Sequence, residues 1–226
     1  MKILAFDTST ELLSVALWQD GQILSNDCNA EQQHAERTLP MLRELLAQAG
    51  LQLRDIDAIA YGHGPGSFTG LRIGCGIAQG LAYGAALPVI GIDSLLALAE
   101  ANGSERVYAC LDARMSQIFH AAYRRDANGW HTEIEPGLCH PQQAPQPAGN
   151  GWIGVGSGFA PHAAALQQRL GAHLASVDPT RYPHARAIAS LAAREAAAGR
   201  TLAPEQAGLV YLRDNVALKI GEQPRK

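Results

Sequence analysis

The sequence predicts an α/β fold built from two similar lobes, the second one abbreviated. Short apolar runs alternate with longer segments of helical periodicity, which is typical of α/β proteins. The segments FDTSTELLSVALWQDG and LDARMSQIFHAAYRRDANG repeat one pattern: a strand ending in Asp, a polar turn, a second strand and an Asp…Gly turn. A strand, a glycine loop and a helix follow in both halves. The linker-like segment ANGSER places the boundary near 100–106, and we expect lobes at residues 1–104 and 105–226.

The first half begins with three predicted strands and a helix. Residues 2–6 and 12–18 are apolar runs, and Asp20-Gly21 is a hairpin turn that starts a third strand at 22–25. Leucine spacing predicts a helix over 34–49, which Pro40 either kinks or divides from an irregular start. The remaining predicted elements are strands at 56–61 and 88–92 and helices at 71–86 and 95–101, the last capped by Asp93 or Ser94.

The second half repeats these elements in shorter form. Residues 136–151 are rich in Pro, Gln and Gly and are predicted to be a surface loop. The segment LVYLRDNVALK is predicted to be a final ordered segment, in which Arg213 pairs with Asp214, caps the second lobe or touches a partner. The predicted strands are 107–111, 117–123, 130–135 and 152–155, and the predicted helices are 163–170 and 186–198.

Composition excludes several classes of protein. The chain has 226 residues, is 47% hydrophobic and carries a net charge of −3, so it has no global basic surface for nucleic acid. Its four cysteines form no CxxC pair and are predicted to be free thiols in a reducing compartment. Neither a signal peptide nor an apolar run long enough for a bilayer is present. We therefore expect a cytoplasmic protein that does not associate with a membrane.

Two polar features are candidates for nucleotide binding. Asp7 and Ser9 follow the first strand, where a carboxylate beside hydroxyls suits contact with Mg²⁺ and phosphate. Gly64 and Gly66 belong to a glycine loop between a strand and a helix, a common place for anions. The alternative for both is a structural turn bonded to its own backbone. In the second half Arg114 and Met115 put bulk where an ATP-binding repeat of this kind would need glycine.

The predicted helix over 71–86 contains glycine at every fourth position. Gly76, Gly80 and Gly84 lie on one face, although each glycine costs a helix interior about 1 kcal/mol relative to alanine. A bare face lets another helix approach closely. One interpretation is packing within the chain, against the sheet or the helix over 34–49; the other is an interface between chains.

Several segments together closely resemble the TsaB (YeaZ) family. They are KILAFDTST, HAERTLPML, AYGHGPGSFTGLRIGCGIAQGLAYG, LPVIGIDSL, LDARM and VYLRDNVA, and they span nearly the whole chain. The resemblance implies two ribonuclease H-like lobes of the actin-like ATPase superfamily. It also implies an obligatory, non-catalytic role in threonylcarbamoylation of tRNA adenosine next to the anticodon, in tRNAs that read codons beginning with A.

The same resemblance implies partners and excludes a metal centre. The partners are a TsaD-type catalytic subunit, a TsaE-type ATPase and tRNA reached through the complex, with a homodimer when the chain is isolated. TsaD-like proteins carry a metal-binding HxxxH motif where this chain has Ser94 and Leu98, so no metal is expected. No catalytic residue and no tightly bound cofactor are expected, and ATP or ADP is expected only within the complex.

The hypothesis for the partner interface combines two predicted helices. Gly76, Gly80 and Gly84 allow close approach, and Leu39, Leu42 and Leu46 supply apolar anchors. The alternative function is a small ATP-dependent phosphotransferase of the actin and hexokinase-like class, which would bind Mg·ATP through Asp7 and the glycine loop. A metallopeptidase lacks the ligands it would need.

Overall fold

Two five-stranded sheets with the same topology form the core of the protein. The computed structural model describes residues 1–213, and the predicted α/β fold class is confirmed. The strands are β1 (Lys2–Asp7), β2 (Leu12–Gln19), β3 (Gln22–Asn29), β4 (Ala58–Gly64), β5 (Val89–Asp93), β6 (Arg106–Arg114), β7 (Gln117–Asp126), β8 (Gly129–Cys139), β9 (Trp152–Val155) and β10 (Leu174–Asp178). The helices are α1 (His34–Gln48), α2 (Phe68–Ala85), α3 (Ser94–Asn102), α4 (Ala163–Leu170) and α5 (Ala185–Ala197).

The strand order demonstrates the internal repeat. The first sheet runs β3-β2-β1-β4-β5 and the second runs β8-β7-β6-β9-β10, so each strand has a counterpart five strands later. In both sheets the first three strands pair antiparallel and the last two join parallel. The duplication predicted from the two Asp…Gly segments is therefore present in the fold.

Helices cover both faces of the first sheet. Leu4 and Phe6 of β1 point toward α1 and α2, while Ile3 and Ala5 point toward α5, as alternation along a strand requires. The helix α3 lies between the sheets: its Ala97 belongs to the core beneath the first sheet and Leu98 to the core of the second. The helix α4 packs on the other face of the second sheet.

The chain returns to the first sheet after completing the second. Helix α5, which the predicted boundary assigns to the second lobe, buries Ile188 and Leu191 against the first sheet. The Oγ atom of Ser14 in β2 accepts a hydrogen bond of 2.7 Å from the backbone N–H of Ala185, at the first turn of α5. We call the first sheet with the helices that cover it the first lobe, and the second sheet with α4 the second lobe. The sequence-based boundaries at residues 1–104 and 105–226 stay a prediction.

Most predicted elements are confirmed, and a few differ for physical reasons. Strand β8 extends to Cys139 through Pro136, where a surface loop was expected; β8 is an edge strand, and proline is tolerated there. Helix α1 continues through Pro40, which is exposed. Asp93, rather than Ser94, caps α3 by accepting from the N–H of Leu96 at 2.7 Å. Strand β10 was not predicted.

No helix within residues 1–213 combines the length and apolar character that crossing a bilayer requires. The predicted ordered segment at the C-terminus is described only as far as Arg213. The proposed pairing with Asp214 lies outside the described residues.

Candidate functional site

The glycine loop and the turn after β1 pack against each other through their backbones. A Cβ atom at Gly66 would lie 2.6 Å from the carbonyl oxygen of Ser9, and one at Gly70 would overlap the carbonyl oxygen of Thr8. The backbone N–H of Ser67 donates to the Ser9 carbonyl at 2.7 Å. The Thr8 hydroxyl donates to the Gly70 carbonyl at 2.8 Å. Close packing within the chain therefore explains these glycines without a ligand.

Asp7 is fully buried beneath this loop. Its Oδ1 atom accepts hydrogen bonds from the N–H and the hydroxyl of Ser9, at 2.9 and 2.7 Å. Its Oδ2 atom has no hydrogen-bond partner within residues 1–213, and a Cβ atom at Gly62 would overlap it. Burial raises the pKa of the Asp7 carboxyl to about 6. This carboxyl is held by the protein and does not face solvent.

A cleft of about 1320 Å³ opens between the two lobes. Its walls come from the turn after β1, the N-terminus of α2, the β6–β7 turn and the segment that follows α5. Of the four predicted nucleotide-binding residues, Ser9 and Gly66 line this cleft, whereas Asp7 and Gly64 lie behind its wall. Arg114 and Met115 also line it, as the bulk predicted in the second half. Nucleotide binding here stays a prediction.

Ser94 and Leu98, which stand where TsaD-like proteins carry the HxxxH motif, do not fit a metal ion. Ser94 is fully buried, and its hydroxyl has no partner within the described residues. Leu98 is also fully buried, and its side chain packs against the backbone at Gly156. No group of three His, Cys, Asp or Glu side chains within residues 1–213 is placed to hold a metal. We therefore derive no metal chemistry from this part of the chain.

The glycine face of α2 is open. Gly76, Gly80 and Gly84 are exposed, and a Cβ atom at any of them would meet no heavy atom within 4 Å. The interpretation that these glycines pack within the chain is therefore wrong. Within residues 1–213 nothing packs on this face, so the described fold does not account for the cost of these glycines to helix stability.

Two exposed side chains precede the glycines toward the helix N-terminus, and both were missed at the level of sequence. Phe68 and Arg72 precede Gly76 at the same spacing of four, and both are exposed. The guanidinium carbon of Arg72 lies 3.3 Å from the centroid of the Phe68 ring, a cation–π contact. The signal was the continuation of the four-residue spacing beyond the glycines. We call the three residues Gly76, Gly80 and Gly84 the open face of α2.

Helix α1 contributes less to an interface than expected. Leu42 and Leu46 are 2% and 8% exposed and belong to the core of the first sheet, so they are not available as anchors. The error has a simple cause: leucines at helical spacing are first of all the buried stripe of the helix. Leu39 lies outside that stripe and is 47% exposed. Helices α1 and α2 contact each other, so Leu39 is the one predicted anchor that remains available.

Comparison with known proteins agrees with this architecture. A sequence model of the family described as "TsaD: tRNA N6-adenosine threonylcarbamoyltransferase" matches residues 28–219. The tRNA threonylcarbamoyladenosine biosynthesis protein TsaB of Escherichia coli K12 is 43% identical, over 97% of each chain. Its namesake from Haemophilus influenzae is 38% identical, over 97% of this chain and 96% of the relative. The structure of YeaZ from Pseudomonas aeruginosa superposes with a TM-score of 0.87 and 38% identity, covering 93% of this chain and 99% of that one.

The paired sheets and the cleft between them define a ribonuclease H-like protein of the actin-like ATPase superfamily. Within that class the long matches are to proteins named TsaB or YeaZ, at 38–43% identity over nearly the whole chain. The chain belongs to the TsaB (YeaZ) family.

Proposed function

We propose that this protein takes part in the biosynthesis of threonylcarbamoyladenosine in tRNA, as the non-catalytic partner of a TsaD-type catalytic subunit. The pathway follows from relatives that carry it in their names and match 97% of this chain. This family assignment favours the proposal over the alternative of a small ATP-dependent phosphotransferase.

Three features of the site support a non-catalytic role. The carboxyl of Asp7, the residue best suited to Mg²⁺ and phosphate, is buried behind the cleft wall and bonded to Ser9. Ser94 and Leu98, at the positions of the HxxxH motif in TsaD-like proteins, supply no set of metal ligands. The side chains of Arg114 and Met115 lie in the cleft where a phosphate loop of the second lobe would need to be bare.

The open face of α2 is the observation that carries the role as a partner. Helix axes come within 8–10 Å depending on the side chains at the contact, so a glycine face permits an unusually close neighbour. Nothing within residues 1–213 uses that closeness, since a Cβ atom at Gly80 would meet no heavy atom there within 4 Å. Close packing of a helix from a second protein would account for these glycines. Leu39, exposed on the adjacent helix α1, extends the surface with an apolar side chain.

The remaining partners and ligands are proposed from the resemblance to the TsaB family. In isolation the open face of α2 pairs with that of a second copy about a two-fold axis, and the catalytic subunit replaces that copy. A TsaE-type ATPase and tRNA are reached through the complex, because a chain of net charge −3 has no strong electrostatic attraction for nucleic acid. ATP or ADP binds only in the complex, and the protein acts in the cytoplasm without a membrane.

Reconstituting the reaction tests the proposal. A TsaD-type subunit, a TsaE-type ATPase, the threonylcarbamoyl-adenylate synthase, its substrates and tRNA are combined with and without this chain. Modified adenosine is then measured by chromatography of the digested tRNA. We expect product only when the chain is present, and an unchanged yield with Asp7→Asn, since the buried carboxyl takes no part. Equal product without the chain would show that it is not an obligatory subunit.

Calorimetry separates the proposal from the phosphotransferase alternative. Titration of Mg·ATP into the isolated chain should give no binding heat, whereas a phosphotransferase must bind the nucleotide by itself.

A further inference from the structure

Residues 207–213, which we call the strap, run from the first lobe along the wall of the cleft to the second. The strap begins on the first sheet, where the Tyr61 hydroxyl donates to the Gly208 carbonyl at 2.8 Å and accepts from the Gly208 N–H at 2.9 Å. The side-chain amide of Gln79, on α2, donates to the Ala207 carbonyl at 3.2 Å. This end of the strap is therefore fixed to the first lobe by a strand and a helix.

The middle of the strap lies on the glycine loop. The N–H of Val210 donates to the carbonyl of His63 at 2.9 Å. Gly64 leaves room for this contact, because a Cβ atom there would lie 2.7 Å from the Val210 carbonyl oxygen. Tyr211 then packs beside Phe68, with ring centroids 6.3 Å apart. The strap thus covers the loop that leads into α2.

The far end of the strap is fixed to the second lobe by Arg213. Its Nη2 atom donates to the Ala113 carbonyl at 3.1 Å and to Oε1 of Gln117 at 2.7 Å, and its Nη1 atom lies 3.2 Å from the sulfur of Met115. Leu212 packs against the core of the second sheet. One planar guanidinium therefore binds both sides of the β6–β7 turn, a geometry that arginine provides and lysine does not.

The turn that Arg213 holds is strained. Arg114, Met115 and Ser116 all have left-handed backbones, with φ of 62°, 54° and 55°. A left-handed residue other than glycine costs roughly 1–2 kcal/mol, so three in succession persist only where neighbouring contacts fix them. Arg213 supplies such contacts from the strap.

We propose that the strap is a latch between the lobes, with Tyr61 and Arg213 as its two anchors, and that it sets the position of the β6–β7 turn against the glycine loop across the cleft. The inference stands on these contacts alone and does not depend on the proposed function. A latch differs from a set of local contacts in one respect: loosening one anchor must loosen the other.

Hydrogen exchange of single backbone amides, followed by NMR on the full chain, tests this coupling. In Arg213→Ala, exchange at Gly208 and Val210 should rise about tenfold or more, which corresponds to the loss of roughly one hydrogen bond to a charged group. In Tyr61→Phe, exchange should rise at the Arg114 amide, which bonds Oδ1 of Asp112 at 3.0 Å in the second lobe. Arg213→Lys should give a smaller rise at the same amides and serves as the milder variant.

Arg114→Ala is the matched control. Its side chain is 84% exposed and pairs with Asp112 rather than with the strap, so Gly208 and Val210 should exchange as in the unmodified protein. The latch is refuted if Arg213→Ala leaves exchange at Gly208 and Val210 unchanged. It is also refuted if Arg114→Ala raises their exchange as much as Arg213→Ala does.

Discussion

Replacing Gly80 should change the stability of the monomer and the affinity of pairing in opposite directions. A side chain at this position meets no heavy atom within 4 Å, and Gly80 lies in the interior of α2, so Gly80→Ala removes the helix cost of glycine without a clash. We expect the free energy of unfolding of the monomer to rise by roughly 0.5–1 kcal/mol, or by about 1–4 °C in midpoint temperature. Urea denaturation, at protein concentrations low enough to keep the chain monomeric, measures this change.

The same residue should weaken pairing, because a side chain separates the two helices. Overpacking a close contact costs roughly 1–3 kcal/mol, so Gly80→Leu should raise the dissociation constant about 5- to 150-fold, with Gly80→Ala at or below the lower figure. Analytical ultracentrifugation measures the homodimer, and titration with the catalytic subunit measures the heterodimer. Gln168→Leu, at an exposed position of α4, is the control for added bulk and should leave both constants unchanged. If Gly80→Leu pairs as tightly as the unmodified chain, the open face of α2 is not the interface.

Three further predictions concern the other site residues. Leu42→Ala should destabilise the fold by roughly 2–5 kcal/mol, because this side chain is 2% exposed. Leu39→Ala should leave thermal stability unchanged and weaken pairing. A large loss of stability in Leu39→Ala would contradict the assignment of Leu39 to the interface. Gly66→Ala should cost roughly 1–3 kcal/mol in urea denaturation, because its Cβ atom would lie 2.6 Å from the Ser9 carbonyl, and a neutral result would refute this packing. Burial raises the pKa of Asp7 from 3.8 to about 6, so the folded state binds the proton more tightly than the unfolded state does. The contribution of this protonation to folding stability is complete below pH 4 and is lost as pH rises through 6. The stability of Asp7→Asn relative to the unmodified chain should therefore grow by up to about 3 kcal/mol between pH 4 and 7.5, and a pH-independent difference would show that Asp7 titrates normally.

The sequence contained most of the fold because its signals were local. The Asp-Gly turn at Asp20, the alternating apolar strands and the repeated strand–turn–strand pattern each specify nearby backbone, and the two matching sheets follow from them. Strand β10 escaped prediction because it is a short edge strand with little apolar pattern. The docking of α5 on the first sheet also escaped, because an alanine-rich helix carries no information on which of two similar sheets it will cover.

The site was predicted less completely than the fold, for a related reason. Periodicity identified the face of Gly80 but could not say whether it was covered, and it gave Leu42 and Leu39 the same apparent role although only Leu39 is exposed. The buried position of Asp7 depends on a loop more than 50 residues away in the chain, so no local pattern reports it. The contacts of Arg213 with the β6–β7 turn span about 100 residues and are likewise invisible in the sequence.

The most direct test of the account is the rate of tRNA threonylcarbamoylation as a function of the concentration of this chain, with a fixed amount of the catalytic subunit. A non-catalytic partner that acts through the open face of α2 predicts saturation at a one-to-one ratio for the unmodified chain. Gly80→Leu should need a higher concentration, in proportion to its weaker pairing, and should reach the same maximal rate, because the variant alters docking and not chemistry. A lower maximal rate at saturation, or an unchanged concentration dependence, would contradict the account.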